Sequence, residues 1–302
     1  MKRIAIFLLI LFSLQSVCLS QTKENLQFDA AYRKAEKGDA IAQGYVGYCY
    51  LKGRGITKNE QKAAEWYEKS AQQGDSKSQF NLAHLILLGI GMEKDTIMAI
   101  NWMVKAAEQG HVEAQYRIGI NILKKTIPQL PDSTAIKYLE MAANNNHAKA
   151  QYSLGCCYFE GKVVDMNKEK SVSIWKQAAT EGHLMAQLRL VECYSKGFGC
   201  EKNDSERFAW LLKAASQGDS RAQYLTGNSY LRGIGTEIDN SKALEWFLKS
   251  ANQGFVEAQI YIGKLYLAKA VSIKKKTVIG ILEKASNNGN SEAQALLEKI
   301  CK

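Results

Sequence analysis

Apolar residues recur along the chain at helical spacing, as in Val46 and Tyr50, Leu82 and Ile86, Leu154 and Tyr158, or Ile262 and Tyr266. That spacing lays them on one face of a helix. A glycine turn follows several of these segments: Gly53-Arg54-Gly55, Gly89-Ile90-Gly91, Gly197-Phe198-Gly199 and Gly233-Ile234-Gly235. Glycine there suits the left-handed residue that commonly ends a helix. Next comes Asn59, Asp95, Asn167, Asn203 or Asp239, whose side chain can accept from the free N–H groups at a helix start. A second apolar-periodic segment then reads Ala63-x-x-Trp66-Tyr67-x-Lys69-Ser70-Ala71, echoed from Ala99 and from Ala243. No segment sustains the alternation of a strand. The pattern predicts helix–turn–helix units and an all-α fold.

The units repeat. Gly38-Asp39-Ala40-Ile41-Ala42-Gln43 returns from Gly74, Gly110, Asn146, Gly182, Gly218, Gly254 and Gly289, in steps of 36 residues six times and then 35. Such self-similarity marks a stacked array in which each unit buries its apolar face on its neighbours. Ala42, Ala114, Ala150, Ala186, Ala222 and Ala258 share one register, and Gly47, Gly119, Gly155, Gly227 and Gly263 another. Small residues at both allow close helix approach, while Trp66, Trp102, Trp210 and Trp246 are predicted to supply bulk between layers.

Together the Gly-[Asp/His]-x-x-Ala-Gln motif, the Gly-x-Gly turn, Ala-x-x-Trp and Lys-[Ala/Ser]-Ala resemble the Sel-one-like repeat, a relative of the tetratricopeptide repeat. The resemblance covers about residues 39–302, with units starting near 39, 75, 111, 147, 183, 219, 255 and 290. It implies a right-handed superhelix (an α-solenoid) of antiparallel helix pairs that serves as an adaptor for protein partners. Members are often exported by bacteria or reside in the eukaryotic secretory pathway. Seven helix pairs are expected between two terminal helices, the first capping the array within residues 21–38. Two loops depart from the pattern, Lys124–Pro131 and the stretch around Lys274-Lys275-Lys276. Each reads as either a specific contact or drift of a surface loop.

Composition alters this picture little. Hydrophobic residues make up 46% and charged residues 23%, which excludes a disordered chain. The net charge of +10 raises nucleic acid or an anionic surface as partners. Yet Lys69, Lys105, Lys213, Lys249 and Lys284 repeat near the C-terminal end of the second helices, where cations oppose the helix dipole. Residues 1–20 combine a basic start, Lys2-Arg3, with the apolar run Ile4–Leu14 and the small residues of Cys18-Leu19-Ser20. This is the pattern of a secretory signal peptide, predicting export and making nucleic acid an improbable partner.

Chemistry is sparse. His111, His147 and His183 share the register of Asp39, Asp75 and Asp219, so they read as helix starts and not as a metal ladder, since helices about 8–10 Å apart do not converge ligands on one ion. No catalytic or phosphate-binding motif is present, and neither a cofactor nor a metal is expected. Of the six cysteines beyond the leader, Cys193 and Cys200 lie across a turn and are the most plausible bridge. Buried thiols are the default for all six, and unlike in the cysteine-rich relatives they do not recur in every unit.

The leading functional reading is therefore an exported, non-enzymatic scaffold. The alternative is a cell-envelope module that binds peptidoglycan fragments or related glycans. The first helices line the concave groove in the tetratricopeptide family. Counting the residue that opens each unit as zero, positions 7 and 10 form a stripe apart from the packing registers. The predicted partner-binding residues are Tyr45, Tyr48, Asn81, His84, Arg117, Arg189, Asn228, Tyr261 and Lys264. Their variety contrasts with the uniformity that packing imposes elsewhere.

Overall fold

The computed structural model describes residues 23–127 and 130–302. The predicted leader lies outside the described residues, as do Pro128 and Gln129. Sixteen helices and no strand are found among the described residues. The first, α1, covers residues 23–36 as far as it is described. Seven pairs follow: α2 Ala40–Lys52 with α3 Glu60–Gln72, α4 Ser76–Leu88 with α5 Thr96–Glu108, α6 Val112–Leu123 with α7 Asp132–Asn144, α8 Ala148–Glu160 with α9 Lys168–Thr180, α10 Leu184–Lys196 with α11 Asp204–Ser216, α12 Ser220–Arg232 with α13 Asn240–Asn252, and α14 Val256–Leu267 with α15 Lys275–Asn287. The last helix is α16 Ser291–Cys301. The chain divides into two compact units, Met1–Asn145 and Asn146–Lys302, each holding its own apolar clusters.

Local chemistry sets the helix ends as the sequence predicts. Asp39, Asp75, His111, His147, His183 and Asp219 each accept from the backbone N–H three residues on. Asn59, Asp95, Asn167, Asn203 and Asp239 do the same for the second helices. The first helices close on left-handed Gly53, Gly89, Gly161, Gly197 and Gly233.

The Ala-Gln pair of the motif has a physical reason that the repeat alone does not supply. Gln43 is buried, and its side-chain amide donates to the Ala35 carbonyl at 3.1 Å. Its Oε1 in turn accepts from Gln73, 30 residues on, at 2.6 Å. The same bridge joins Gln79 to Gln109 at 2.7 Å, Gln187 to Gln217 at 2.8 Å and Gln223 to Gln253 at 2.9 Å. Where the second residue is shorter the bridge fails. Gln115 still donates to Ala107 at 3.0 Å, but its buried Oε1 has no partner, because Asn145 stands at the partner position and donates instead to Met141 at 2.9 Å. Asn145→Gln is expected to restore the bridge and raise stability by about 1 kcal/mol, since an unmade buried hydrogen bond costs about that much or more. A urea midpoint that stays put or falls would show that the extra methylene cannot be seated.

Several sequence expectations are refined. Cys193 and Cys200 are free thiols, as are the other four cysteines, so the suggested bridge is absent. The lysine register does more than oppose the dipole. Lys69, Lys105, Lys213 and Lys249 lie over Trp66, Trp102, Trp210 and Trp246 at 4.4, 4.3, 4.0 and 4.0 Å from the ring centroids, a cation–π contact one helical turn back. Trp66 and Trp210 are buried, but Trp102 and Trp246 are only half-buried. The fully enclosed tryptophan is Trp175, one register further on. The two irregular loops contribute apolar side chains to the clusters beside them. Ile127 is 3% exposed and belongs to the apolar cluster of its unit, and Ala270, Val271 and Ile273 pack on another.

Candidate functional site

Within each unit of the fold the first helices expose positions 7 and 10 while burying positions 4, 5, 8 and 9 almost without exception. None of the nine predicted binding residues is buried. Tyr48, Arg117 and Lys264 are exposed and the other six are intermediate.

Their surroundings show a construction that the repeat pattern did not reveal. At position 6, four of the first helices carry a ring: Phe80, Tyr116, Tyr152 and Tyr224. Phe80, Tyr152 and Tyr224 are each held by residues of the next repeat's first helix and its start. The helix-start residue packs on one part of it, with His111 stacked on Phe80 (4.6 Å, 18°), His183 on Tyr152 (4.9 Å, 27°) and Phe255 tilted against Tyr224 (5.3 Å, 36°). The position-7 residue covers another part. The Arg117 guanidinium lies 5.5 Å from the Phe80 centroid, the Arg189 guanidinium lies beside Tyr152 and 5.9 Å from the Trp175 centroid of the same preceding repeat, and Tyr261 meets Tyr224 edge-on at 5.7 Å. Three of the nine predicted residues are thus pinned by a ring of the repeat before them. The rings were visible in the sequence; only spacing in three dimensions shows what they hold.

The remaining residues are likewise anchored. The Tyr45 and Tyr48 ring centroids lie 6.3 Å apart, and Arg54 beside Tyr48 pairs with Glu24 at 3.1 Å. Burial, helped by the nearby Arg117 charge, holds the His84 imidazole below its ordinary range. Arg117 also pairs with Glu113 at 2.7 Å, and Arg189 with Glu192 at 3.4 Å. Asn228 lies near Tyr224 on the same helix. Lys264 pairs with Glu292 at 2.7 Å and lies 5.2 Å from the Tyr261 ring. Asn81 is half-buried on the same face as His84, three residues back on one helix.

The histidines of the helix starts are accounted for by this geometry. Burial lowers the pKa of His111 and of His183. Each neutral ring accepts at Nδ1 from Ala114 (3.2 Å) or Ala186 (3.3 Å), which a protonated imidazole could not do. Among the described residues no His, Cys, Asp or Glu cluster is arranged to hold a metal ion. Burial pushes the Cys157 thiol up to about 11 and Cys193 to about 12, the opposite of an activated nucleophile. The face is therefore built for contact: fixed rings, guanidinium groups and amides.

Six consecutive segments, residues 40–75, 76–111, 112–147, 148–183, 184–219 and 220–255, match the Sel1 repeat. The chain belongs to the Sel1 repeat family. Two solved structures share its fold across 90% of its length. One is a protective antigen present in uropathogenic Escherichia coli strains displaying an SLR fold, 28% identical over 67% of that chain with a TM-score of 0.68. The other is a Sel1 repeat protein from Oxalobacter formigenes, 30% identical over 80% of that chain with a TM-score of 0.67. A search of curated proteins returns no match. Sel1 repeat proteins generally act as protein-interaction scaffolds and are mostly non-catalytic. Among the described residues no helix is long and apolar enough to cross a membrane.

Proposed function

We infer that this Sel1 repeat protein is an exported, non-enzymatic scaffold that holds a protein or peptide partner on the face of its first helices. The observation that carries the reading is the anchoring of Arg117, Arg189 and Tyr261 on rings of the preceding repeat. Side chains so fixed lose little freedom on binding, which favours affinity. Tyrosine and arginine are also the residues that most often dominate interfaces. The basic start and apolar run of residues 2–14 support export.

The test is the double variant Arg117→Ala with Arg189→Ala, assayed against a partner captured from cell-envelope extract. Binding is expected to weaken at least tenfold, a loss of roughly 1.4 kcal/mol or more. The melting temperature should move by only a few degrees, because exposed cation–π and ion-pair contacts contribute about 1 kcal/mol or less each. Normal binding by this variant, together with loss of binding on changing the Lys-rich stretch around Lys275, would overturn the assignment to this face. Retention on purified peptidoglycan without any protein partner would favour the glycan alternative.

A further inference from the structure

Within each unit of the fold a first helix packs on its own second helix and on the second helix before it, and ring contacts join it to the start and first helix of the repeat that follows. In the sixth repeat Tyr224 marks the seat. It lies 5.8 Å from Phe247, 5.3 Å from Phe255 and 5.7 Å from Tyr261 between ring centroids. In the fourth, Tyr152 lies 6.5 Å from Trp175 and 4.9 Å from His183, with the Arg189 charge beside it. Stepping back by whole 36-residue periods, both sets of three lead to the same residues, Ala31, Asp39 and Tyr45.

Those three residues line an open trough of about 630 Å³ at the N-terminal end of the described chain, together with Ala30, Lys34 and Ile41. Helix α1 is in the register of a second helix, since the buried amide of Gln43 caps its Ala35 carbonyl as Gln79 caps Ala71 in the next repeat. The trough is thus the seat of a first helix, formed but without one among the described residues. Its walls differ from the other seats in a consistent direction. Where α3 carries Trp66 and Tyr67, α1 carries Ala30 and Ala31. Position 3 of the first helices is charged at Lys77, Glu113, Lys149, Arg221 and Glu257 and apolar at Met185, 48% exposed; at the trough it holds Ile41, the more exposed of the two apolar residues at 78%.

We propose that this trough docks one amphipathic helix of a partner protein, seated as an added first helix, with a large aromatic or apolar side chain pressed between Ala31, Asp39 and Tyr45. The chemistry of the occupant follows from the continuing repeat interface. The helix-to-helix seat requires a helix, and the alanines require bulk where the repeats themselves use glycine. The chain's own α16 does not meet this need, because it offers Ala295 at the ring position and Glu298 at the glycine position. This is helix-in-groove recognition, at a site separate from the arginine-bearing face.

The experiment titrates the full chain with a fluorescent peptide of residues 218–234 that carries Gly227→Leu and is stapled between positions 221 and 225 on its outer face. Saturable binding is expected by anisotropy. It should fall at least tenfold with Ile41→Arg or Ala31→Arg in the protein and with Tyr224→Ala in the peptide. Arg117→Ala with Arg189→Ala should leave it unchanged, so failure here and failure of the first-helix face are told apart. Ile41 is so exposed that its replacement does not threaten the fold. Absence of saturable binding, or binding indifferent to Ile41→Arg, overturns the proposal. So does binding that appears only after residues 1–20 are removed, which would make the chain's own leader the occupant. Self-association abolished by Ile41→Arg would instead assign the seat to a second copy, and also overturns it.

Discussion

Gly91→Ala is expected to destabilise its unit by about 3–4 kcal/mol, whereas Gly89→Ala, two residues earlier in the same turn, should cost about 1 kcal/mol. Both glycines are left-handed, with φ of 71° and 69°, and a Cβ in that region costs about 1–2 kcal/mol. Space separates them. A Cβ on Gly89 would meet the Lys94 Cβ at 3.5 Å, an ordinary contact. A Cβ on Gly91 would lie 2.0 Å from the Glu60 carbonyl oxygen and 2.8 Å from the Gln61 nitrogen. Those atoms are the backbone of the first turn of α3, held by its cap, and cannot swing aside as a side chain could. Forcing them apart adds an overpacking cost of about 1–3 kcal/mol. The second glycine of the Gly-x-Gly turn is therefore a seam between repeats. Gly55, Gly199 and Gly235 press on Glu24, Lys168 and Asp204 in the same way, at 2.4, 2.2 and 2.0 Å. Urea midpoints for the two variants decide the matter: equal losses would mean that only the turn conformation, and not the seam, matters.

Gly155→Ala should cost about 3 kcal/mol for a different reason. Gly155 is helical, so its backbone would accept alanine, and by propensity alone alanine is better by roughly 0.5–1 kcal/mol. A Cβ there would stand 2.4 Å from Trp175 Nε1 and 2.5 Å from its Cδ1. Trp175 is 1% exposed, and its indole donates to the Tyr152 carbonyl at 3.0 Å. The ring can make room only by leaving a close-packed site and giving up that bond. Shrinking the ring should relieve the clash, so Gly155→Ala with Trp175→Leu is expected to be more stable than the sum of the two single changes predicts, a coupling that a double-mutant cycle reads directly. Additive losses would contradict the contact. Gly280→Ala is the control. It is also mid-helix, and no atom lies within 4 Å of its would-be Cβ, so it should be neutral or stabilising.

This size matching runs through both units of the fold, each considered by itself. Gly47 faces Tyr67, Gly119 faces Leu139, Gly155 faces Trp175, Gly227 faces Phe247 and Gly263 faces Leu282. The glycine register was plain from the sequence, but its partners were not. Trp66, Trp102, Trp210 and Trp246 recur visibly and were read as the layer-filling bulk. The residues that meet the glycines are the neighbours one position on, a mixed set of Tyr, Leu, Trp and Phe. Adjacent helical positions both lean toward the core, and a repeated identity says only that something is constrained there. Each of those tryptophans lies under a lysine, and two of the four are only half-buried. Variation in the true core register hides it from a search for sameness.

By itself the sequence determined the period, the helix pairs, the caps and the turn glycines, because these are local: each depends on residues within about four positions along one helix or turn. It also placed the nine face residues off the packing registers, since helical geometry alone assigns faces. The tertiary structure decided what crosses from one repeat to another. Gln43 reaches Gln73, Gly91 meets Glu60, and Arg117 lies on Phe80 only once helices with residues 30 or more positions apart are stacked. It decided as well that Val163, at φ 68° in a turn position where other repeats carry glycine, holds a conformation its own side chain disfavours. The first-helix seat at Ala31 and Tyr45, which no described helix fills, belongs to the same class. A seat is defined by two walls from different helices, and no one-dimensional pattern records the space between them.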